Sequence, residues 1–428
     1  MLERIKNSIY LKEVSSVGLG SLSAQVFGLL GMLIITRYYS PSELALLALI
    51  TAIVTIFIPI AAGRYETVVV IAKARRESLK IAKIAIIITV ITLSLLYIIF
   101  FAFGNHLIFF FGTESLGKYF YAIPLLIFLG SIIKIYNNLD NSFKNYRLLS
   151  SMLAFHSFLT VTFSIIFGIV FSHEETNWLI VSVVLSSIIS VLVYTYKYKN
   201  SLGSFKDIRI KNSIILIRKY ADFPLYNAPA SILNTFALSL PILLLTKYFD
   251  SNVVGQYSLI TKIVFGPLAF ISVAISTIHL KKITDLIFLK ERLSPYLFKV
   301  TLMLVLIASL PFTLLTVFAE EMIGILFSDQ WHDAGRILQI MAPAFALRFV
   351  VSAISTTISA TRNLKWYTIW TLIDIAQIFL LFSYFPGKLN IYDFFGLMAL
   401  FSFLSYSLYF LIIFVSANRV DQKYEKNI

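Results

Sequence analysis

Six ionisable side chains stand in stretches of this sequence that offer them little water: the bases Arg64, Lys134, Lys262 and Arg348, and the acids Glu66 and Asp374. A charged side chain at the centre of a membrane helix costs about 2.5–3.5 kcal/mol on insertion scales, so each should face a wet cavity or a partner. Four bases suit an anion such as a phosphate group, and the two acids suit a proton or Na+. Arg348 is followed by Ser352, Ser355 and Ser359 at intervals of 4, 7 and 11 residues, which share one helical face. Lys262 shares a face with Ser258, Gly266 and Ala269, small residues that leave room for a ligand or pack helices closely. These features predict a cationic binding cavity built from Arg348, Lys262, Arg64 and Lys134. Arg64 and Lys134 lie near enough to span ends to snorkel their heads to the interface instead. Glu66 is two residues from Arg64, a spacing that does not face it on a helix. Glu66 and Asp374 are therefore candidate ion-coupling sites; the alternative for each is to neutralise one of the bases.

The elements that must position these groups follow from composition. Of 428 residues, 58% are hydrophobic and 14% charged, and the mean hydropathy is +0.85; a soluble domain carries about 25% charged residues. Apolar windows of spanning length predict helices near 14–36, 44–70, 84–104, 119–139, 150–171, 177–196, 224–246, 253–280, 296–318, 334–360, 366–385 and 392–416. The chain is expected to be an all-α polytopic membrane protein with about twelve transmembrane helices. Of its 36 Lys and Arg, 27 fall in alternate gaps between spans, including both ends of the sequence. That bias predicts both termini in the cytoplasm. The net charge of +14 is thus a topology signal, with no basic patch on a soluble fold to suggest nucleic acid.

A shift of 210 residues lays Thr36-Arg-Tyr-Tyr-Ser-Pro and Leu49-Ile-Thr-Ala-Ile-Val54 over Thr246-Lys-Tyr-Phe-Asp-Ser and Leu259-Ile-Thr-Lys-Ile-Val264. The shift superposes span one on seven and two on eight, as expected of two parallel six-helix lobes. Residues 1–200 would form the first lobe, 201–223 a basic cytoplasmic linker and 224–428 the second lobe. Gly31 and Pro241 coincide under the shift. Matching interruptions in two halves mark a transporter's moving helices, so Gly31 and Pro241 are the expected gating hinges. Trp178, Trp331, Trp366 and Trp370 fall near the ends of spans and read as interfacial belt residues.

Other chemistry finds no support. The chain has no cysteine, and its five histidines show no metal-ligand spacing. Neither a metal nor a cofactor is expected. Gly112-Thr-Glu-Ser-Leu-Gly-Lys118 looks like a nucleotide loop, but Tyr119 stands where Ser or Thr would bind magnesium. An enzyme is not expected; a membrane O-antigen polymerase or ligase would need a large periplasmic segment that these short gaps do not provide.

Several stretches resemble the Wzx-type O-antigen flippases, in the polysaccharide-exporter branch of the multidrug/oligosaccharidyl-lipid/polysaccharide (MOP) superfamily. They are Thr36-Arg-Tyr-Tyr-Ser-Pro-Ser-Glu, Gly63-Arg-Tyr-Glu66, Val254-Gly-Gln-Tyr-Ser-Leu, and Leu326-Phe-Ser-Asp-Gln-Trp-His-Asp-Ala-Gly335 followed by Ile-Leu-Gln-Ile-Met-Ala-Pro343. Leu44-Ala45 replaces the aromatic-Gly pair usual after the first motif. The resemblance implies a MATE-like architecture in a bacterial inner membrane. It implies export of an undecaprenyl-diphosphate-linked oligosaccharide to the periplasmic leaflet, with H+ or Na+ as coupling ion and other glycan-assembly membrane proteins as partners. A drug or cation antiporter of the same superfamily is the nearest alternative, and would favour an acidic cavity.

Overall fold

The computed structural model describes residues 22–72, 74–111, 114–171, 176–203 and 210–425, and every regular element among them is helical. The start of the first expected span (14–21), part of the expected linker (204–209) and part of the nucleotide-loop look-alike (112–113) lie outside the described residues. Ten described segments are long and apolar enough to cross a membrane. Helix α1 (Leu22–Ile35) and helix α10 (Ser251–Leu289) occupy the first and eighth expected spans. The others are α2 (Pro41–Ala61), α4 (Arg75–Phe111), α5 (Ala122–Ser142), α6 (Tyr146–Val170), α7 (Trp178–Leu202), α9 (Ala228–Tyr248), α11 (Ser294–Leu326), α12 (His332–Ile354), α14 (Leu364–Tyr384) and α15 (Ile391–Glu425), with short helices α3 (Tyr65–Ile71), α8 (Ile210–Lys219) and α13 (Thr356–Ala360) between them. The chain packs into two compact units, 1–255 and 256–428.

In the first unit, α2 starts on a capping box: Ser40 and Glu43 satisfy each other's backbone N–H groups, and Pro41 takes the first helical position. The expected span 44–70 is not one helix. Gly63 and Arg64 both adopt left-handed backbone (φ 58° and 62°), ending α2 and restarting the chain as α3. Tyr65, Val68 and Val69 of α3 then pack into a buried cluster with Ile81 and Ala85 of α4, Ile132 and Leu139 of α5, and Tyr194 and Tyr198 of α7. Outside the spans, Lys219 of α8 donates to Glu77 at 2.6 Å, a hydrogen bond that holds this ammonium above its ordinary pKa.

The matched segments carry similar local hydrogen bonds. Thr36 donates to the Met32 carbonyl at 2.7 Å and Thr246 to that of Ile242 at 2.8 Å; Thr51 donates to Ala48 and Thr261 to Ser258, each at 2.9 Å. Each pair is related by the 210-residue shift. The two repeated turns also meet within the first unit. A Cβ on Gly255 would stand 1.9 Å from the Pro41 carbonyl oxygen, and the Ser251 hydroxyl donates to that of Ser42 at 3.0 Å.

In the second unit, α11 and α12 approach closely at Gly335, where a Cβ would lie 2.6 Å from Glu320 Cα. Asp421 of α15 accepts from the backbone N–H groups of Leu293 and Ser294, capping α11 from a distant part of the chain. Leu302, Leu306 and Leu310 form an exposed apolar stripe on α11, as expected of a lipid-covered face. Two of the four expected belt tryptophans are instead core residues. Trp331 is fully buried, and Trp370 stacks on Tyr409 with ring centres 4.1 Å apart while donating to the Ser405 carbonyl at 3.0 Å. Their rings fill helix-packing gaps that a hydropathy profile does not reveal.

Candidate functional site

The charged groups gather in two places, one in each unit. In the first, the left-handed turn at Gly63-Arg64 aims the Arg64 side chain across the helix break. Its Nε donates to Asn227 Oδ1 at 2.6 Å, and its Nη1 lies 3.4 Å from Glu66 Oε1. Lys134 Nζ, from α5, approaches the same oxygen at 3.8 Å. Asn138, one turn further along α5, donates to the Glu66 carbonyl at 2.8 Å. The expectation that Arg64 and Glu66 do not face each other is therefore corrected. It assumed a continuous helix, and the break at Arg64 removes that premise. A non-glycine residue in left-handed backbone costs about 1–3 kcal/mol, so the contacts of Arg64 must hold it there. Glu66 is 1% exposed, Arg64 15% and Lys134 38%. The acid is sealed and its two cations reach outward. Glu66 Oε2 has no hydrogen-bond partner.

In the second unit, Arg348 of α12 lays its guanidinium 4.2 Å from the centre of the Phe265 ring and 5.7 Å from that of Tyr406. Phe265 is also held edge-on by Phe345 at 4.7 Å. Lys262 precedes Phe265 by three residues on α10, so both project from the same side of that helix. Neither Arg348 nor Lys262 makes an ion pair among the described residues. Asp374 of α14 lies within the electrostatic reach of Arg348, yet its Oδ1 is taken by Ser405 at 2.6 Å and Gln377 at 2.8 Å. Along the expected polar stripe from Arg348 to Ser359, α12 gives way to α13 at Ser355, whose backbone stays helical. Ser355 turns its hydroxyl back to the Ser352 carbonyl at 2.8 Å. The Ala269 side chain lies outside the described residues.

The expected hinges have distinct settings. Gly31 lies against α6, where a Cβ would meet Val161 at 2.5 Å, and Pro241 sits inside α9.

One acid escaped the sequence reading. Asp140, assigned to the gap 140–149, belongs to α5 and is fully buried. Tyr198 of α7 donates to its Oδ1 at 2.5 Å, while Oδ2 has no partner. The signal available was the polar run Tyr136-Asn-Asn-Leu-Asp-Asn-Ser142, matched by Tyr194 and Tyr198 one helical turn apart.

Several solved structures share this fold. A multidrug resistance MATE family transporter of the MOP superfamily, in an inward-facing conformation, superposes with a TM-score of 0.73 at 14% identity, covering 95% of this chain and 99% of that one. The lipid II flippase MurJ, in an inward closed conformation, gives 0.73 at 14% identity over 95% and 90% of the two chains. A MOP superfamily transporter from Pyrococcus furiosus, described by the reverse polarity of its binding pocket, gives 0.60 at 12% identity over 96% of each. No curated protein matches in sequence. The family model for polysaccharide biosynthesis proteins matches residues 34–336, so this multi-pass membrane protein, built on the fold of MOP-superfamily transporters, belongs to the polysaccharide biosynthesis protein family.

Proposed function

We propose that this protein is a flippase that moves an undecaprenyl-diphosphate-linked oligosaccharide unit from the cytoplasmic to the periplasmic leaflet of a bacterial inner membrane. The observation that carries this reading is the pair Arg348 and Lys262, two cations on membrane helices of the second unit with no ion pair among the described residues. A chain that holds such cations in membrane helices leaves their charge for an anionic ligand to satisfy. Arg presents a planar fork that matches phosphate oxygens, and Lys adds a compact charge. Arg64 and Lys134 would receive the same anion once it competes with Glu66. Their exposure on the open side of the sealed acid supports this. The lipid tail stays in the bilayer while the diphosphate and sugar cross.

A diphosphate diester carries about two negative charges, and moving each outward down a 100 mV interior-negative potential yields about 2.3 kcal/mol. Residues 1–200 and 224–428 act as the two lobes, joined by 201–223, with both termini cytoplasmic and α1 and α9 bending at Gly31 and Pro241. Glu66 and Asp374 are the acids available to a coupling H+ or Na+.

The test is glycan analysis of a deletion strain. Loss of the flippase should abolish all surface display of the glycan, single units included, with lipid-linked repeat units accumulating on the cytoplasmic side. Persistence of single units on the surface would indicate a polymerase. Intact glycan with raised drug sensitivity would indicate an antiporter. Either result would overturn the proposal.

A further inference from the structure

We propose that Asp140 is a proton-binding site, distinct from Glu66 and Asp374, through which a proton acts on the α5–α7 contact of the first unit. Asp140 and Glu66 are both buried, and both touch α5, but their surroundings differ in kind. Glu66 has two cations within ion-pair distance. Asp140 has none within that distance among the described residues; the Tyr198 hydroxyl donates to it at 2.5 Å, Asn145 and Tyr194 lie beside it, and its second oxygen is sealed without a hydrogen-bond partner.

The groups facing it from each packed element bring no cation within ion-pair distance among the described residues. From α7 come Tyr194, whose hydroxyl is committed to Asn137 at 2.6 Å, and Tyr198. Lys197 of the same helix is exposed but near enough to act on the Asp140 charge through space, and Asn145 lies beside the carboxyl at the start of α6. From α4, Arg75 lies over the Phe143 ring at 4.5 Å. Tyr136 of α5 fills the space between Tyr194 and Tyr198, with ring centres 5.1 and 5.5 Å away. Its hydroxyl is shared with Thr195. A bare carboxylate here would forfeit the solvation of a full charge, whereas a neutral acid forfeits one hydrogen bond. The ligand that fits is one proton, taken from water onto the carboxylate and returned to water on release. A metal cation of the hard class prefers six or so oxygens, and the side chains around Asp140 are chiefly aromatic rings.

Release of that proton would put a buried negative charge with no ion-pair partner between α5 and α7 and favour their separation. Helix α5 also carries Lys134 and Asn138, which grip Glu66. Proton loss at Asp140 therefore acts on the helix that holds the first charged site. The link to export rests on the flippase reading; the proton site does not.

Infrared spectroscopy of the full-length protein in lipid vesicles at neutral pH tests the site without any substrate. The wild type should show a protonated-carboxyl C=O band that shifts in heavy water and is missing from Asp140→Asn. In Tyr198→Phe the band should persist and move to higher frequency, because its hydrogen bond is lost. That variant keeps the acid, so the test survives if Asp140→Asn fails to fold. Identical carboxyl bands in wild type and Asp140→Asn, or a band removed by Na+ at constant pH, would overturn the proposal. An absent band alongside lost glycan in the deletion strain would remove the site and leave the flippase reading standing. A present band alongside normal glycan would do the reverse.

Discussion

The charged clusters in the two units resolve the same problem in opposite ways. In the first unit the chain supplies its own counter-charge: Glu66 lies 3.4 Å from Arg64 and 3.8 Å from Lys134. In the second, Arg348 is steadied by an aromatic ring, Lys262 makes no ion pair among the described residues, and Asp374 spends its Oδ1 on Ser405 and Gln377 instead of closing an ion pair. A guanidinium over a ring is attracted to it, but the ring carries no net charge and neutralises nothing. The difference separates a charge that folding needs from a charge that folding tolerates. Only the second kind is available to a ligand without breaking the protein's own contacts.

That contrast breaks most visibly at Glu66. Replacing Arg64 and Lys134 together by Ala strands a carboxylate that is 1% exposed, and breaking a buried pair in this manner costs about 3–5 kcal/mol. Membrane abundance should fall sharply, and adding Glu66→Gln should restore it. Unchanged abundance in the double variant would show that the first cluster is not structural.

A smaller and different effect is expected in the second unit. Arg348→Ala or Lys262→Ala should leave abundance near normal, because deleting an unpaired charge removes a burial cost. Export should drop by roughly ten- to hundredfold, the equivalent of about 1.5–3 kcal/mol for a hydrogen bond to a charged group. Arg348→Lys should keep part of the activity, since the charge survives and the bidentate fork is lost. Arg348→Glu should be inactive. Glycan display measured beside abundance decides this, and normal display in both Ala variants would remove the two residues from the site.

The smallest effect should come from Trp370→Phe, which keeps the stack on Tyr409 and loses the N–H bond to Ser405. A loss of about 1 kcal/mol should lower the melting temperature in detergent slightly, with export unchanged. A large export defect would mean that the Ser405–Asp374 contact belongs to the working site.

What the sequence disclosed was decided by averages over long stretches. The spans were legible because about twenty apolar residues must follow one another to cross a bilayer, and Arg348 and Lys262 stood out as exceptions inside such runs. The Arg64–Glu66 pair was not, because a single left-handed residue reversed a spacing rule that holds only within a helix. Asp140 was hidden by a boundary: placed in a gap, it read as solvated, while α5 in fact carries it into the core. Trp331 and Trp370 were misread for a related reason, since nearness to a span end says nothing of whether lipid or a neighbouring helix covers the ring.

The meeting of the two repeated turns bears on how this chain can be engineered. Gly255 presses on the Pro41 carbonyl, whereas Ala45, the position matched to it by the 210-residue shift, carries a methyl, so the two matched positions are not interchangeable where the turns touch. Beside that contact the hydroxyls of Ser42 and Ser251 are 3.0 Å apart, in a chain with no cysteine of its own. A cysteine pair at these two positions would put two sulfurs side by side, which makes the contact a place to try a clasp that an oxidant closes and a reductant opens.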